Sequence, residues 1–170
     1  MDQLEKALKH DLQGELKTIA ENRFRDKMTE WGIPLSKAPI LVWDFGLRDF
    51  YRYGLAENWI ANDTDAGYCG KYLFIMEGQT CPRHRHKLKR ETFFILRGQV
   101  HLWYDGQDIT MNPGDTITIE RWKDHDFSGL EDSLILEISE PTLVDDNYFT
   151  TEGICYGQTL AEALHSQNGQ

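Results

Sequence analysis

The segment GQTCPRHRHKLKRETFFILRG, residues 78–98, decides how the rest of the chain is read. Five Arg or Lys residues and two of the six histidines fall within residues 83–90, in a protein whose formal net charge is −10. A patch that grips a polyanion is the first expectation for such a run. The whole-chain balance opposes it, because 28 acidic residues against 18 basic ones repel a phosphate backbone at long range. Strand alternation offers a narrower reading. On an extended segment His84 and His86, two positions apart, present their imidazoles to one face and one metal ion, while Arg83 and Arg85 turn to the other face or the rim. A turn at Lys87 and Leu88 resets the phase, so that Lys89, Glu91, Phe93 and Ile95 face inward together.

The spacing around these residues is regular. Gly78 is followed after five residues by His84, after one by His86, after four by Glu91 and after six by Gly98, and each glycine suits a turn. Further on, MNPGDTITIERWKDHDF turns at Pro113 and Gly114 and leads through a strand to His125, eleven positions after Gly114. Seven short apolar runs separated by turn signals extend from Ile40 onward: ILVWDFG, YLFIMEG, TFFILRG, VHLWYDGQ, ITMNPGD, TITIERW and SLILEIS. They predict an antiparallel sandwich or barrel, with Asp-Gly in YDGQ making a tight primed turn.

The 170 residues suffice for one domain that buries about 70% of its unfolded surface. Ahead of the strands, Leu4, Leu8, Leu12, Leu16 and Ile19 recur at helical steps, so residues 2–30 read as an amphipathic helix that Gly14 breaks in two and that ends before Pro34. The expected organisation is a helical extension over 1–35, a β-barrel over 36–155 and a tail over 156–170, frayed at its HSQNGQ end. The N-terminus lacks an apolar leader and no stretch approaches 18 apolar residues, from which a cytoplasmic protein is expected. Cys69, Cys81 and Cys155 form no CxxC pair and are expected to be reduced, buried thiols.

These two spaced motifs resemble those of the cupin superfamily, the first at every fixed position and the second with Asp-Phe-Ser after His125 in place of the stricter ending. The resemblance covers about residues 40–140. It implies an all-β double-stranded β-helix, or jelly-roll barrel, holding one divalent ion through His84, His86, Glu91 and His125. Three imidazoles and a carboxylate admit Mn, Fe, Ni, Co or Zn and leave coordination positions open for substrate.

Cupin sites serve many reactions, so other titratable groups must decide between them. Lys89 is expected inward beside Glu91. Glu137 sits in SLILEIS on the face of Ile135, an acidic residue in a strand too apolar to bury it without a partner. An inward lysine and glutamate beside an open metal suit proton transfer next to a carbonyl, as in aldose–ketose isomerisation through an enediolate.

A second resemblance points the same way. WDFGL, DTDAGYCGKYLF, EGQTCPRHRH, KRETF and LEISEPTLVDDNYF look like the conserved blocks of the cupin-type D-lyxose isomerases, in nearly the same order. That likeness implies interconversion of D-lyxose with D-xylulose, and of D-mannose with D-fructose, with manganese as the ion and Lys89 and Glu137 as the acid–base pair. It also implies Lys71, Phe93, Asp146 and Phe149 as substrate-binding residues, and a homodimer. Arg83 stands where an acid is common in the family, and the loop from His86 to Glu91 is short, so altered substrate choice is expected from that corner. An iron dioxygenase of the three-histidine cupin kind and a non-catalytic sugar-binding cupin are the alternatives. The composition argues against nucleic acid or membrane as a partner.

Overall fold

The computed structural model describes residues 2–154 and the backbone of 158–159. Cys155 and the HSQNGQ tail lie outside the described residues. Two helices come first, α1 (Gln3–Leu8) and α2 (Glu15–Trp31). The strands then follow: β1 (Ile40–Trp43), β2 (Leu55–Asp63), β3 (Tyr68–Ile75), β4 (Thr80–Arg85), β5 (Glu91–Arg97), β6 (Val100–Tyr104), β7 (Gln107–Met111), β8 (Thr116–Ile119), β9 (His125–Gly129), β10 (Ser133–Ser139), β11 (Tyr148–Phe149) and β12 (Gln158–Thr159). A 3-10 turn, Val144–Asp146, precedes β11.

The strands form two six-stranded sheets, ordered β1-β2-β3-β10-β5-β8 and β12-β11-β4-β9-β6-β7. All pairings are antiparallel except β11 with β12. From β3 to β10 the chain alternates between the sheets except at the β6–β7 hairpin, which is the jelly-roll arrangement. All seven apolar runs become strands, and the YDGQ hairpin closes with positive φ at both Asp105 (47°) and Gly106 (92°), as a primed turn requires. Gly98 has φ 76°, and a Cβ there would stand 2.3 Å from Ser133 Oγ and 2.5 Å from the Asp132 carbonyl, so the turn after β5 needs glycine.

Between the sheets lies the first core, with Leu41, Trp43, Leu73, Phe93, Ile95, Leu102, Phe127 and Ile135 buried. The second core lies on the outer face of the first sheet, where α2 lays Ala20, Phe24 and Met28 over Val42, Ala56, Phe74 and Leu134. Phe24 and Phe74 stack with ring centroids 4.8 Å apart. Covering on both faces is why β1 reads ILVW without alternation.

The helical region departs from its expected face. Gly14 (φ 84°, ψ −154°) does break the helix, and across the break Asp11 Oδ1 accepts from the Val42 N–H (2.9 Å) while the Leu12 N–H donates to the Val42 carbonyl (2.8 Å). The link is thereby pinned to β1, and each helix chooses its own buried side. Leu8, Leu16 and Ile19 end up exposed, and Ala20, Phe24 and Met28 supply the stripe that packs. Gly32 in left-handed geometry ends α2, with the Ile33 N–H reaching back to the Met28 carbonyl (2.9 Å) before Pro34.

Candidate metal centre and the cavity beside it

Three strand ends and the turn after β4 bring the titratable residues together. His84 is on β4 and His125 opens β9, and the two are direct cross-strand partners. Glu91 opens β5 in the facing sheet, and His86 follows β4. One donor atom from each of these four residues lies within 4.8 Å of the others, and all four side chains are buried. The cluster therefore bridges the two sheets at one end of the barrel.

The imidazoles are oriented by backbone carbonyls. The Nδ1 atoms of His84, His86 and His125 face the carbonyls of Pro82 (2.8 Å), Asp146 (2.9 Å) and Lys123 (3.2 Å). Each Nδ1 thus carries the proton and donates it, which leaves each Nε2 as a lone pair directed inward. Burial, then the neighbouring imidazoles, push His84 well below the ordinary imidazole range; burial, then the Lys89 ammonium, push His86 down. His84 and His86 are therefore neutral donors at neutral pH.

In this tautomeric state, acceptors face acceptors. His125 Nε2 and His86 Nε2 stand 2.9 Å and 3.3 Å from Glu91 Oε1, and all three atoms are buried without a hydrogen-bond partner among the described residues. Such contacts cost free energy unless a cation sits among them. Neighbouring donors about 2.1 Å from a six-coordinate ion stand about 3 Å apart, so the observed spacing fits a divalent ion held by three nitrogens and one oxygen. Burial raises the Glu91 pKa, but the Lys89 ammonium outweighs it and holds the carboxyl well below the usual range, ready as an anionic donor.

Beside the cluster is a small cavity. Lys71, Lys89, Glu137, Phe93 and Phe149 line it together with His84 and Glu91. Glu137, 2% exposed, shares its row with Lys71 on β3 and Phe93 on β5. Its Oε1 accepts from Lys89 Nζ (3.0 Å) and Ser139 Oγ (2.9 Å), and its Oε2 lies 3.4 Å from Lys71 Nζ. Lys89 Nζ is also 2.6 Å from Glu91 Oε2, so one ammonium joins the candidate metal donor to Glu137. Burial alone would lower the Lys89 pKa; Glu137 and then Glu91 overcome it and raise it. Lys89 is an ammonium at neutral pH.

Asp146 is placed differently from the other candidates. It is not among the lining residues; both its oxygens are spent on the backbone N–H groups of Lys87, Leu88 and Lys89 at 3.0–3.1 Å. Its carbonyl, in turn, orients His86. This residue therefore clamps the short turn between His86 and Glu91, and its reach toward a substrate is blocked by the turn it holds. Arg83 also departs from expectation. It lies on the outer face, bonded to Asp126 (2.7 Å) and over the Trp103 ring (3.3 Å), while Arg85 makes a two-point pair with Asp124. Alternation carries both charges away from the cavity.

Glu57, buried in β2 and lining the cavity, has no counterpart in the sequence reading. The signal was the same one that singled out Glu137, an acid inside a strand, but β2 was not legible: Glu57, Asn58 and Asn62 break its alternation. Asn58 is buried because it bonds the Ser36 N–H (2.8 Å) and the Ala38 carbonyl (3.0 Å).

A model of the cupin domain family matches residues 72–138. The D-lyxose/D-mannose isomerase of Thermosediminibacter oceani is 33% identical over 145 residues, which span 69% of this chain and 79% of that protein. The D-lyxose ketol-isomerase of a Thermofilum species is 29% identical over 146 residues, 69% of this chain and 80% of that protein. Among solved structures, the L-ribose isomerase of Cellulomonas parahominis with L-ribose superposes with a TM-score of 0.68 at 13% identity, over 81% of this chain and 92% of that one. At that identity the likeness is one of fold.

Proposed function

The chain belongs to the D-lyxose isomerase family of the cupins and is an isomerase, and on that premise we propose that it interconverts D-lyxose with D-xylulose, and D-mannose with D-fructose, by metal-dependent proton transfer. His84, His86, Glu91 and His125 would hold the ion, for which we propose Mn²⁺. A bound divalent ion would polarise the oxygens on C1 and C2 of the open-chain sugar and offset the charge that develops on them. Glu137 acts as the general base that takes the proton from C2 of the aldose and returns it to C1. Lys89 gives a proton to O1 and receives the one released from O2, so that C2 becomes the carbonyl and no atom is gained or lost. Lys71 binds hydroxyls, and Phe93 and Phe149 form apolar walls that keep water from the exchanging proton.

The observation that carries this reading is Lys89 Nζ, placed 2.6 Å from Glu91 and 3.0 Å from Glu137 in one buried cavity. An oxygen-binding site has no use for such a pair. The working enzyme is proposed to be a cytoplasmic homodimer, with the outer face of the first sheet beyond α2 as the surface for a second copy. Protein stripped with EDTA is expected to lose ketose formation and to regain it with Mn²⁺. Glu137→Gln is expected to lower kcat by about 10²–10⁴ with metal content intact. Ketose formation that survives metal removal ends this reading.

A further inference from the structure

Three carboxylates line the cavity, and the reaction above uses two of them, Glu91 and Glu137. The third, Glu57, is 6% exposed. Its Oε2 accepts from the Trp59 indole N–H at 2.8 Å, and Trp59 is itself fixed in the barrel core. The nearest other donor is Lys71 Nζ, at 3.4 Å from Oε2 and 3.5 Å from Oε1, and that ammonium is shared with Glu137. A carboxylate has about four acceptor sites. Glu57 therefore carries one short hydrogen bond among the described residues and keeps acceptor capacity on Oε1, although desolvation makes an unmet buried acceptor costly.

Its place in the sheet gives that capacity a direction. The strands run β2, β3, β10, β5 as neighbours, carrying Glu57, Lys71, Glu137 and Glu91 in that order. Register sets them on a diagonal, with Glu57 opposite Leu73, two positions from Lys71, and Glu91 opposite Ser139, two positions from Glu137 on the other side, so that the two carboxylates mark opposite ends of this four-strand stretch. The cavity extends to the Glu57 end, where Trp43 of β1 and Leu55 of β2 also line it. A sugar with C1 and C2 beside the metal donors directs its remaining hydroxyls there.

We propose that Glu57 is a specificity-determining residue, accepting a hydrogen bond from a sugar hydroxyl beyond C3, with Trp59 fixing the carboxylate and Lys71 balancing its charge. The proposal rests on the isomerase reading, since that reading orients the sugar. A buried carboxylate that matches a hydroxyl rejects analogues lacking it, because the acceptor is then left unpaired.

The test pairs a protein change with a substrate change. Metal-loaded wild type and Glu57→Gln are compared on D-lyxose, 4-deoxy-D-lyxose and 5-deoxy-D-lyxose, with calorimetric binding of D-arabinitol, the polyol of D-lyxose, which has no carbonyl and cannot turn over. Glu57→Gln is expected to lower kcat/KM on D-lyxose about 10- to 100-fold, chiefly through KM. One deoxy sugar costs the wild type a similar factor, and combining the two changes costs little more than either alone. Trp59→Phe, which keeps Glu57 and the ring but frees the carboxylate, is expected to show the same pattern at smaller size and serves if Glu57→Gln does not fold. Losses that multiply for both deoxy sugars overturn the proposal, as does unchanged D-arabinitol affinity. If wild type binds D-arabinitol through Glu57 yet turns over no aldose, the isomerase reading falls and the hydroxyl contact stands.

Discussion

Lys89 is the residue on which the proposed chemistry turns, because its ammonium is the only link between Glu91 and Glu137 recorded among the described residues. Lys89→Met keeps the length of the side chain and removes the charge. The expected result is a fall in kcat of about 10²–10⁴ with Mn²⁺ still bound, measured by steady-state kinetics alongside metal analysis. Asp146 acts one step further out, through the turn it clamps and the imidazole it orients. Asp146→Ala is expected to weaken metal affinity about 10- to 100-fold, read by metal titration, the effect typical of losing a partner behind a metal ligand. Cys81 offers a check on burial. Burial first, then the Glu57 and Glu91 carboxylates, push its thiol well above the ordinary range, so it stays protonated and unreactive. Native protein at pH 8 is expected to leave Cys81 unmodified by iodoacetamide, whereas unfolded protein is labelled there. Lys89 and Glu91 were readable from alternation resumed after a two-residue turn. Asp146 could be picked out only by family likeness, and its clamp required the structure, since 57 to 59 positions separate it from the N–H groups it holds.

Among the elements, α2 shows how a tertiary contact overrides a sequence period. Leu4, Leu8, Leu12, Leu16 and Ile19 form a regular series, but Gly14 and the Asp11–Val42 pairing interrupt the axis, and a stripe drawn through a break has no common face. The buried side of α2 is set by the flat apolar surface of Phe74 and Leu134 below it. Phe24→Ala removes the stacked ring and is expected to cost about 3–5 kcal/mol in urea unfolding, with little change in kcat for molecules that remain folded. A loss under 1 kcal/mol would mean that the helix contributes little to barrel stability. β2 and β9 were illegible for a related reason. Glu57 and Asn58 in one and His125 in the other put buried polar residues where an apolar alternation would run, and only the folded barrel supplies what surrounds them.

At the scale of the molecule, the first sheet has an outer face only partly covered by α2. Beyond the helix, Leu136 and Phe94 pair across β10 and β5, and Ile138 and Ile60 are 57% and 48% exposed. Exposed apolar side chains on a sheet face are the sort that the proposed two-fold interface would cover. Ile138→Glu is expected to shift the protein to the monomer mass in light scattering; an unchanged mass places the interface elsewhere. No helix among the described residues is long and apolar enough to cross a membrane. The spacing of His84, His86, Glu91 and His125 was readable along the chain because strand alternation and glycine turns are local rules, set by backbone sterics within a few residues. The order of strands was not, because pairing β10 between β3 and β5 depends on burial summed over the whole barrel. That ordering alone brings Glu57, Lys71, Glu137 and Glu91 together across four neighbouring strands, and a cluster of buried charges exists only when strands from different parts of the chain exclude water together.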